Sequence, residues 1–140
     1  MRTTIVTPDQ QQSKITLTKR ILTVTDPIVL QRLESMGILA LALAIYADTH
    51  SSWWFFCALL LVPDVSMLAY LHSKRVGTAV YNIFHSYLTP LSLGIVMIYF
   101  SQWLAAELVL IWISHIALDR CLGYGLKYPT NFKHSHLSWK

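Results

Sequence analysis

Four apolar stretches, at about residues 28–46, 52–71, 76–100 and 102–122, take up most of this chain and constrain its fold more than anything else in it. An α-helix rises 1.5 Å per residue, so roughly 20 mostly apolar residues span the hydrocarbon of a bilayer. Composition agrees: 54% of the 140 residues are hydrophobic and 13% are charged, outside the balance of a soluble domain. The expected architecture is an all-α polytopic membrane protein, a bundle of four transmembrane helices occupying residues 28–123. A polar extension, 1–27, precedes it and a basic, histidine-containing tail, 124–140, follows. The extension contains alternating Thr-rich runs that favour extended structure, and it shows no small-residue cleavage pattern. The first apolar run therefore reads as a retained span and not a signal peptide.

Charge placement orients the bundle. Arg2, Lys14, Lys19, Arg20 and Arg32 precede or enter the first span, Lys74 and Arg75 lie between spans two and three, and Arg120, Lys127, Lys133 and Lys140 close the chain. These are all 11 Lys and Arg residues, and the other two connections carry none. That asymmetry is the positive-inside pattern and predicts both termini on the cytoplasmic side. It also accounts for the net charge of +4 through attraction to anionic lipid headgroups, with the bilayer as partner and no nucleic acid. Cys57 and Cys121 fall towards opposite ends of their spans and should be reduced thiols. Trp53, Trp54, Phe55 and Phe56 open span two as an interfacial aromatic belt.

Ionisable side chains inside spans are costly and need partners. Glu34 lies in span one beside Arg32. Pro63 removes a backbone donor in span two and should bend the helix where Asp64 emerges. Span three carries Thr78, Tyr81, Asn82, His85, Ser86 and Thr89 on one face, with Pro90 bending it again. Span four places His115 and Asp119 four residues apart on one face. Counting from the basic ends, Glu34, Asp64, Asn82, His85, His115 and Asp119 all fall roughly 6 to 15 Å below the inner surface. Four helices thus bring polar groups to one depth. Glu107 stands apart near the outer end, as an interfacial or packing carboxylate. Gly123 and Gly125 stop the fourth helix and Pro129 prevents its resumption. In the tail, His134 or His136 either covers the polar layer or is solvated.

In combination, Arg32-Leu33-Glu34, Pro63-Asp64 with Ser66-Met67 and Tyr70, Gly77 with Tyr81-Asn82 and His85, His115 with Asp119-Arg120, and Gly123-Tyr124-Gly125-Leu126-Lys127-Tyr128 resemble the uncharacterised bacterial membrane family called domain of unknown function 4260. The resemblance covers residues 30–137, and Ser135-His136-Leu137 is similar to a Thr-His-Leu element of that family, which favours His136 over His134. It implies a bacterial four-helix inner-membrane protein and no particular activity. A weaker similarity links the pattern to bacterial membrane-bound metal-dependent hydrolases, which also scatter His and Asp over short spans.

Three classes of function stay open at this point. In the first, Asp64, His85, His115 and Asp119, with His136, bind zinc, iron or manganese, and Asn82 and Tyr81 support them. The metal then activates water against an amphiphilic or lipid-like substrate, with Glu34 as general base and Arg120 or Lys127 holding an anionic group. In the second, the same residues carry protons or ions, which favours a homo-oligomer, or His85 and His115 ligate a haem. In the third, the polar layer is a hydrogen-bonded lock in a structural or partner-binding protein.

Overall fold

The structure is a computed structural model that describes residues 12, 26–100, 103–129, 131–135 and 137. The expected extended runs of the N-terminal extension and the expected role of His136 lie outside the described residues. The chain divides into two compact units, Met1–Gln31 and Arg32–Lys140. In the first, Asp26 caps the opening turn of helix α1: its Oδ1 accepts from the amide of Ile28 at 2.9 Å, and Pro27 occupies the first helical position, where no amide is needed.

Among the described residues the fold is helical apart from one short hairpin. Helix α1 (Pro27–Asp48) is followed by α2 (Trp53–Leu60), a 3-10 helix (Val62–Leu71), α3 (Lys74–Phe84), α4 (Leu88–Tyr99), α5 (Trp103–Leu122), and strands β1 (Lys127–Tyr128) and β2 (Asn131–Ser135). Two helical stretches, Pro27–Asp48 and Trp53–Leu71, are long and apolar enough to cross a membrane. The expected third span is divided between α3 and α4, and α5 carries Glu107, Asp119 and Arg120 within its 20 residues.

The breaks have local causes. Pro63 lacks an amide proton and cannot extend α2, so the chain tightens into a 3-10 helix whose three residues per turn line up Val62, Val65, Leu68 and Leu71 as an exposed apolar row. Pro63 and Ser66 fall on the buried row beside it. The next short connection ends at Ser73, whose Oγ accepts from the Val76 amide at 3.2 Å and starts α3. Pro90 was expected to bend a continuous third helix, but α3 instead ends outright after Phe84. Residues 85–87 form a turn in which Ser86 Oγ accepts from the Leu88 amide at 3.3 Å, and Thr89 Oγ1 donates to the Ile83 carbonyl. Pro90 has no proton for the Ser86 carbonyl, so that serine caps the new helix instead of joining the old one.

Burial departs from that of a water-soluble protein on the outside more than on the inside. Ile111, Ile116, Ala117 and Leu137 are buried, as are Ser35, Ser66, Thr78, His85, Ser114 and His115, whereas Leu33, Met36, Leu41, Ile45, Leu71, Leu88, Ile95 and Tyr99 are exposed. Helix α1 buries only the narrow line Ser35, Ala42 and Tyr46. At the other end of that line Tyr46 packs edge-on to Phe56, 4.9 Å between ring centroids, within a small core completed by Ile111. Phe56 therefore belongs to the core and not to the expected aromatic belt, because helical periodicity turns it away from the exposed Trp53 and Trp54. Glu107 accepts from Ser51 Oγ at 2.5 Å, which ties it to the connection after α1.

Gly77 of α3 packs tightly against Tyr70 of the 3-10 helix. A Cβ at 77 would collide with the Tyr70 ring and its Cα, while the Tyr70 hydroxyl is hydrogen-bonded to Thr78 at 3.2 Å. Gly94, in α4, would meet only Val109 methyls at 3.5 and 3.6 Å. Gly77→Ala is therefore expected to lower thermal stability in detergent by about 1–3 kcal/mol. Gly94→Ala should be neutral or gain up to about 1 kcal/mol of helix propensity. Equal melting temperatures for the two variants would contradict the packing.

Candidate metal centre

Each polar residue of the site stands where a helix begins, breaks or ends. Asp64 follows Pro63 in the first turn of the 3-10 helix, and His85 is the C-cap of α3. His115 and Asp119 lie one turn apart near the end of α5. That end is closed by Gly123 at φ 92°, with the Gly123 amide bonded to the Arg120 carbonyl at 3.1 Å and the Tyr124 amide to the Asp119 carbonyl at 2.8 Å. This double bond pattern needs a left-handed residue, which glycine supplies, and it fixes the backbone of Asp119 itself.

The four side chains converge. His85 Nε2 lies 3.1 Å from His115 Nε2, 3.3 Å from Asp64 Oδ1 and 3.6 Å from Asp119 Oδ2. His115 Nε2 is 3.7 Å from Asp64 Oδ1 and 3.8 Å from Asp119 Oδ2, and one atom from each residue fits within a mutual 4.8 Å. A tetrahedral cation with bonds of about 2.0–2.2 Å holds its ligand atoms about 3.3–3.6 Å apart. The observed separations bracket that value, so these residues could hold a metal ion.

Proton placement at His85 points the same way. Its Nδ1 is 3.0 Å from the carbonyl oxygen of Tyr81, which can only accept, so Nδ1 carries the proton and the Nε2 lone pair of the neutral ring faces the group. With neutral imidazoles and ionised carboxylates, the converging atoms share at most the one proton that His115 Nε2 can carry. Three or four acceptors would then face one another, an arrangement that a metal ion or a further proton would relieve. The backbone bond to Nδ1 is also the support that metal-ligating histidines usually have.

Burial within the group is graded. The side chains of both histidines are 3% exposed, that of Asp119 is 21% and that of Asp64 is 40%. Asp64 thus marks the open side. The Tyr81 ring stacks on His85 at 3.7 Å and 14°, and the residue lies close to Asp119. Lys127 Nζ sits 4.1 Å over the other aromatic surface offered by Tyr81, and Arg120 lies 4.2 Å over the Tyr87 ring. Burial pulls the Lys127 ammonium below the ordinary lysine range, against the raising pull of Asp119 and Asp64.

Of the residues expected from sequence, Asp64, His85, His115 and Asp119 come together, and Tyr81 packs on them. Arg120 borders a small cleft with Tyr81, His85 and Asp119. Glu34 is exposed and outside the group, since the buried line of α1 runs through Ser35 and Glu34 is turned about 100° from it. Asn82 does not face the cluster. Its amide holds the backbone of Lys127 at both ends, Nδ2 donating to the carbonyl at 2.9 Å and Oδ1 accepting from the amide at 2.7 Å. In effect Asn82 serves as a further strand partner for β1, whose other edge pairs antiparallel with β2. The tail next to the site is therefore an ordered hairpin. No sequence pattern announced this clamp, because its two halves are 45 residues apart.

Residues 28–139 match the family described as Domain of unknown function (DUF4260). The chain belongs to that family. Family membership agrees with the resemblance read from its motifs and carries no activity with it. No curated protein and no solved structure matches the chain. The chemistry of this DUF4260 protein rests on its own geometry. Asn82→Ala should free the hairpin at the cost of about 1–3 kcal/mol, and limited trypsin digestion should then cut after Lys127 faster than in the parent. An unchanged cleavage rate would show that the clamp does not hold the strand.

Proposed function

We propose that this DUF4260 protein is a multi-pass membrane metalloprotein that binds one divalent ion, zinc, iron or manganese, through Asp64, His85, His115 and Asp119, and uses it to hydrolyse an ester or phosphoester of an amphiphile. The observation that carries the proposal is the convergence of two imidazole nitrogens and two carboxylate oxygens within 4.8 Å, with each imidazole nitrogen 3.1–3.8 Å from the other three atoms. The many exposed leucines and isoleucines, together with hydroxyl and imidazole groups in the interior, support a hydrocarbon surrounding. The two long apolar helices support the same surrounding. The positive-inside distribution of Lys and Arg supports a site near the cytoplasmic leaflet and cytoplasmic termini, and the motif resemblance supports a bacterial inner membrane.

A divalent ion held by this group would supply Lewis acidity and make water a better nucleophile near neutral pH. In this reading His85, His115 and the half-buried Asp119 would hold the ion throughout, whereas Asp64 would hold it only at rest and give up its place to water. Asp64, the most exposed, is the group that takes the proton as water adds to the ester centre. The bond to the leaving oxygen then breaks and Asp64 returns the proton to it. Arg120, at the neighbouring cleft, holds an anionic portion of the substrate. Glu34 would reach this site only by a movement of α1, so Asp64 replaces it as the base.

Other functions fit the geometry less well. A haem between His85 and His115 needs its macrocycle between two nitrogens that are 3.1 Å apart and flanked by Asp64 and Asp119. An ion path through a single chain meets the apolar core of Tyr46, Phe56 and Ile111. A hydrogen-bonded lock needs a further proton between the facing lone pairs.

Elemental analysis of the purified, detergent-solubilised full chain tests the proposal beside His115→Ala and Asp64→Asn. Near-stoichiometric metal is expected in the parent, with at least tenfold weaker retention in His115→Ala. Asp64→Asn should keep the metal more firmly than His115→Ala while losing turnover. Absence of metal in the parent, even after resupply with zinc, iron and manganese, would overturn the proposal and leave the lock.

A further inference from the structure

An apolar cavity of about 220 Å³ is bounded by Pro63, Phe84, Leu93, Leu108, Ile111 and Trp112 among others, with none of the four His/Asp residues in its lining. Two of these residues immediately precede ligands of the group, Pro63 before Asp64 and Phe84 before His85. On α5, Ile111 and Leu108 stand one and two turns before His115, so the cavity extends roughly 10 Å from the group along that helix. Arg120 and the cleft it borders lie in the opposite direction along α5.

The walls offer nothing to a polar ligand. Every side chain lining the cavity is apolar except for the indole N–H of Trp112, which already donates to the Phe84 carbonyl at 2.7 Å. The Phe84 and Trp112 rings stack at 5.5 Å and 25° and form one aromatic wall. Along one line the protein thus presents a guanidinium, a cluster of two histidines and two aspartates, and a dry hydrocarbon slot. That sequence of surfaces is complementary to an anionic or polar head, a reactive linkage and an alkyl tail.

We infer that this cavity binds the hydrocarbon tail of the substrate and so selects a single-chain amphiphile whose scissile bond lies at the head end of that tail. The inference rests on the metal-centre reading above, since that reading places the reacting bond. A cavity of about 150 Å³ takes benzene, so 220 Å³ holds roughly eight or nine carbon atoms. Each methylene entering it gains about fourfold in affinity, which corresponds to about 0.8 kcal/mol. Carbons beyond the ninth emerge among the surrounding lipid and gain nothing further from the protein.

Alkyl hydroxamates provide the test, because their head chelates a metal and their chain length can be varied. Titration calorimetry on the full-length, metal-loaded protein in one fixed detergent should show acetohydroxamate binding and affinity rising about fourfold per methylene to roughly nine carbons, then levelling. Two variants reduce the cavity: Leu93→Trp from α4, and Val62→Phe from the start of the 3-10 helix, where the side chain is half exposed and enlargement is tolerated. Metal content by elemental analysis reports whether each has kept its fold. In folded variants the rise with chain length should stop several carbons earlier.

Acetohydroxamate binding with no gain along the series would overturn the slot alone. A gain that is identical in parent and both variants would do the same, since it would come from partition into the micelle or from ordinary bilayer lipid sites. Failure of acetohydroxamate to bind a protein that retains no metal would instead overturn the metal-centre reading beneath it.

Discussion

Two buried imidazole nitrogens and two partly exposed carboxylate oxygens face one another and would repel unless a proton or a metal ion stood between them, and the rest of this structure is arranged to hold them there. Regular helices cannot do it alone, because a helix presents a given face only once per turn. The irregularities supply what is missing. Pro63 ends α2 so that Asp64 starts a tighter helix, α3 stops at His85, and the glycine-capped end of α5 comes four residues after Asp119. The 3-10 helix and α3 then pack together through the bare backbone of Gly77, which brings Asp64 and His85 within 3.3 Å. Irregular backbone is sustained where side chains satisfy its polar groups, as Ser86 and Thr89 do at the turn after His85.

The same interior explains the division of labour among aromatic and basic residues. Tyr81 shields one face of His85 and lies close to Asp119, while Lys127 covers the tyrosine from the far side. Lys127 can do so only because Asn82 holds its backbone. A residue read from sequence as support for the metal is thus support for the hairpin that caps the site. Energetically this is an indirect arrangement, in which two hydrogen bonds to one peptide unit place a charge near the carboxylates without making it a ligand.

Much of this site was legible in the sequence. His115 and Asp119 at helical spacing, Asp64 behind a proline and His85 at the centre of a polar stripe were enough to put four groups at one depth, and they do meet. Depth could not say which way Glu34 points, and it points elsewhere because the packing line of α1 runs through Ser35, Ala42 and Tyr46. The 3-10 helix had a sequence signal that a search at the α period passes over: apolar residues at 62, 65, 68 and 71, every third position. The break after Phe84 also had one, in Ser86 placed four residues before Pro90 as a capping residue. The hairpin clamp and the slot walled by Phe84 and Trp112 had none, since both join residues far apart in the chain.

The central claim, that Asp64, His85, His115 and Asp119 form one cation site, is tested most directly by X-ray absorption at the edge of whichever metal the purified protein carries. The account expects two imidazole rings in the scattering pattern, oxygen completing the shell at about 2.0–2.2 Å, and no sulfur. One imidazole or none, or a thiolate at about 2.3 Å drawn from Cys57 or Cys121, would contradict it.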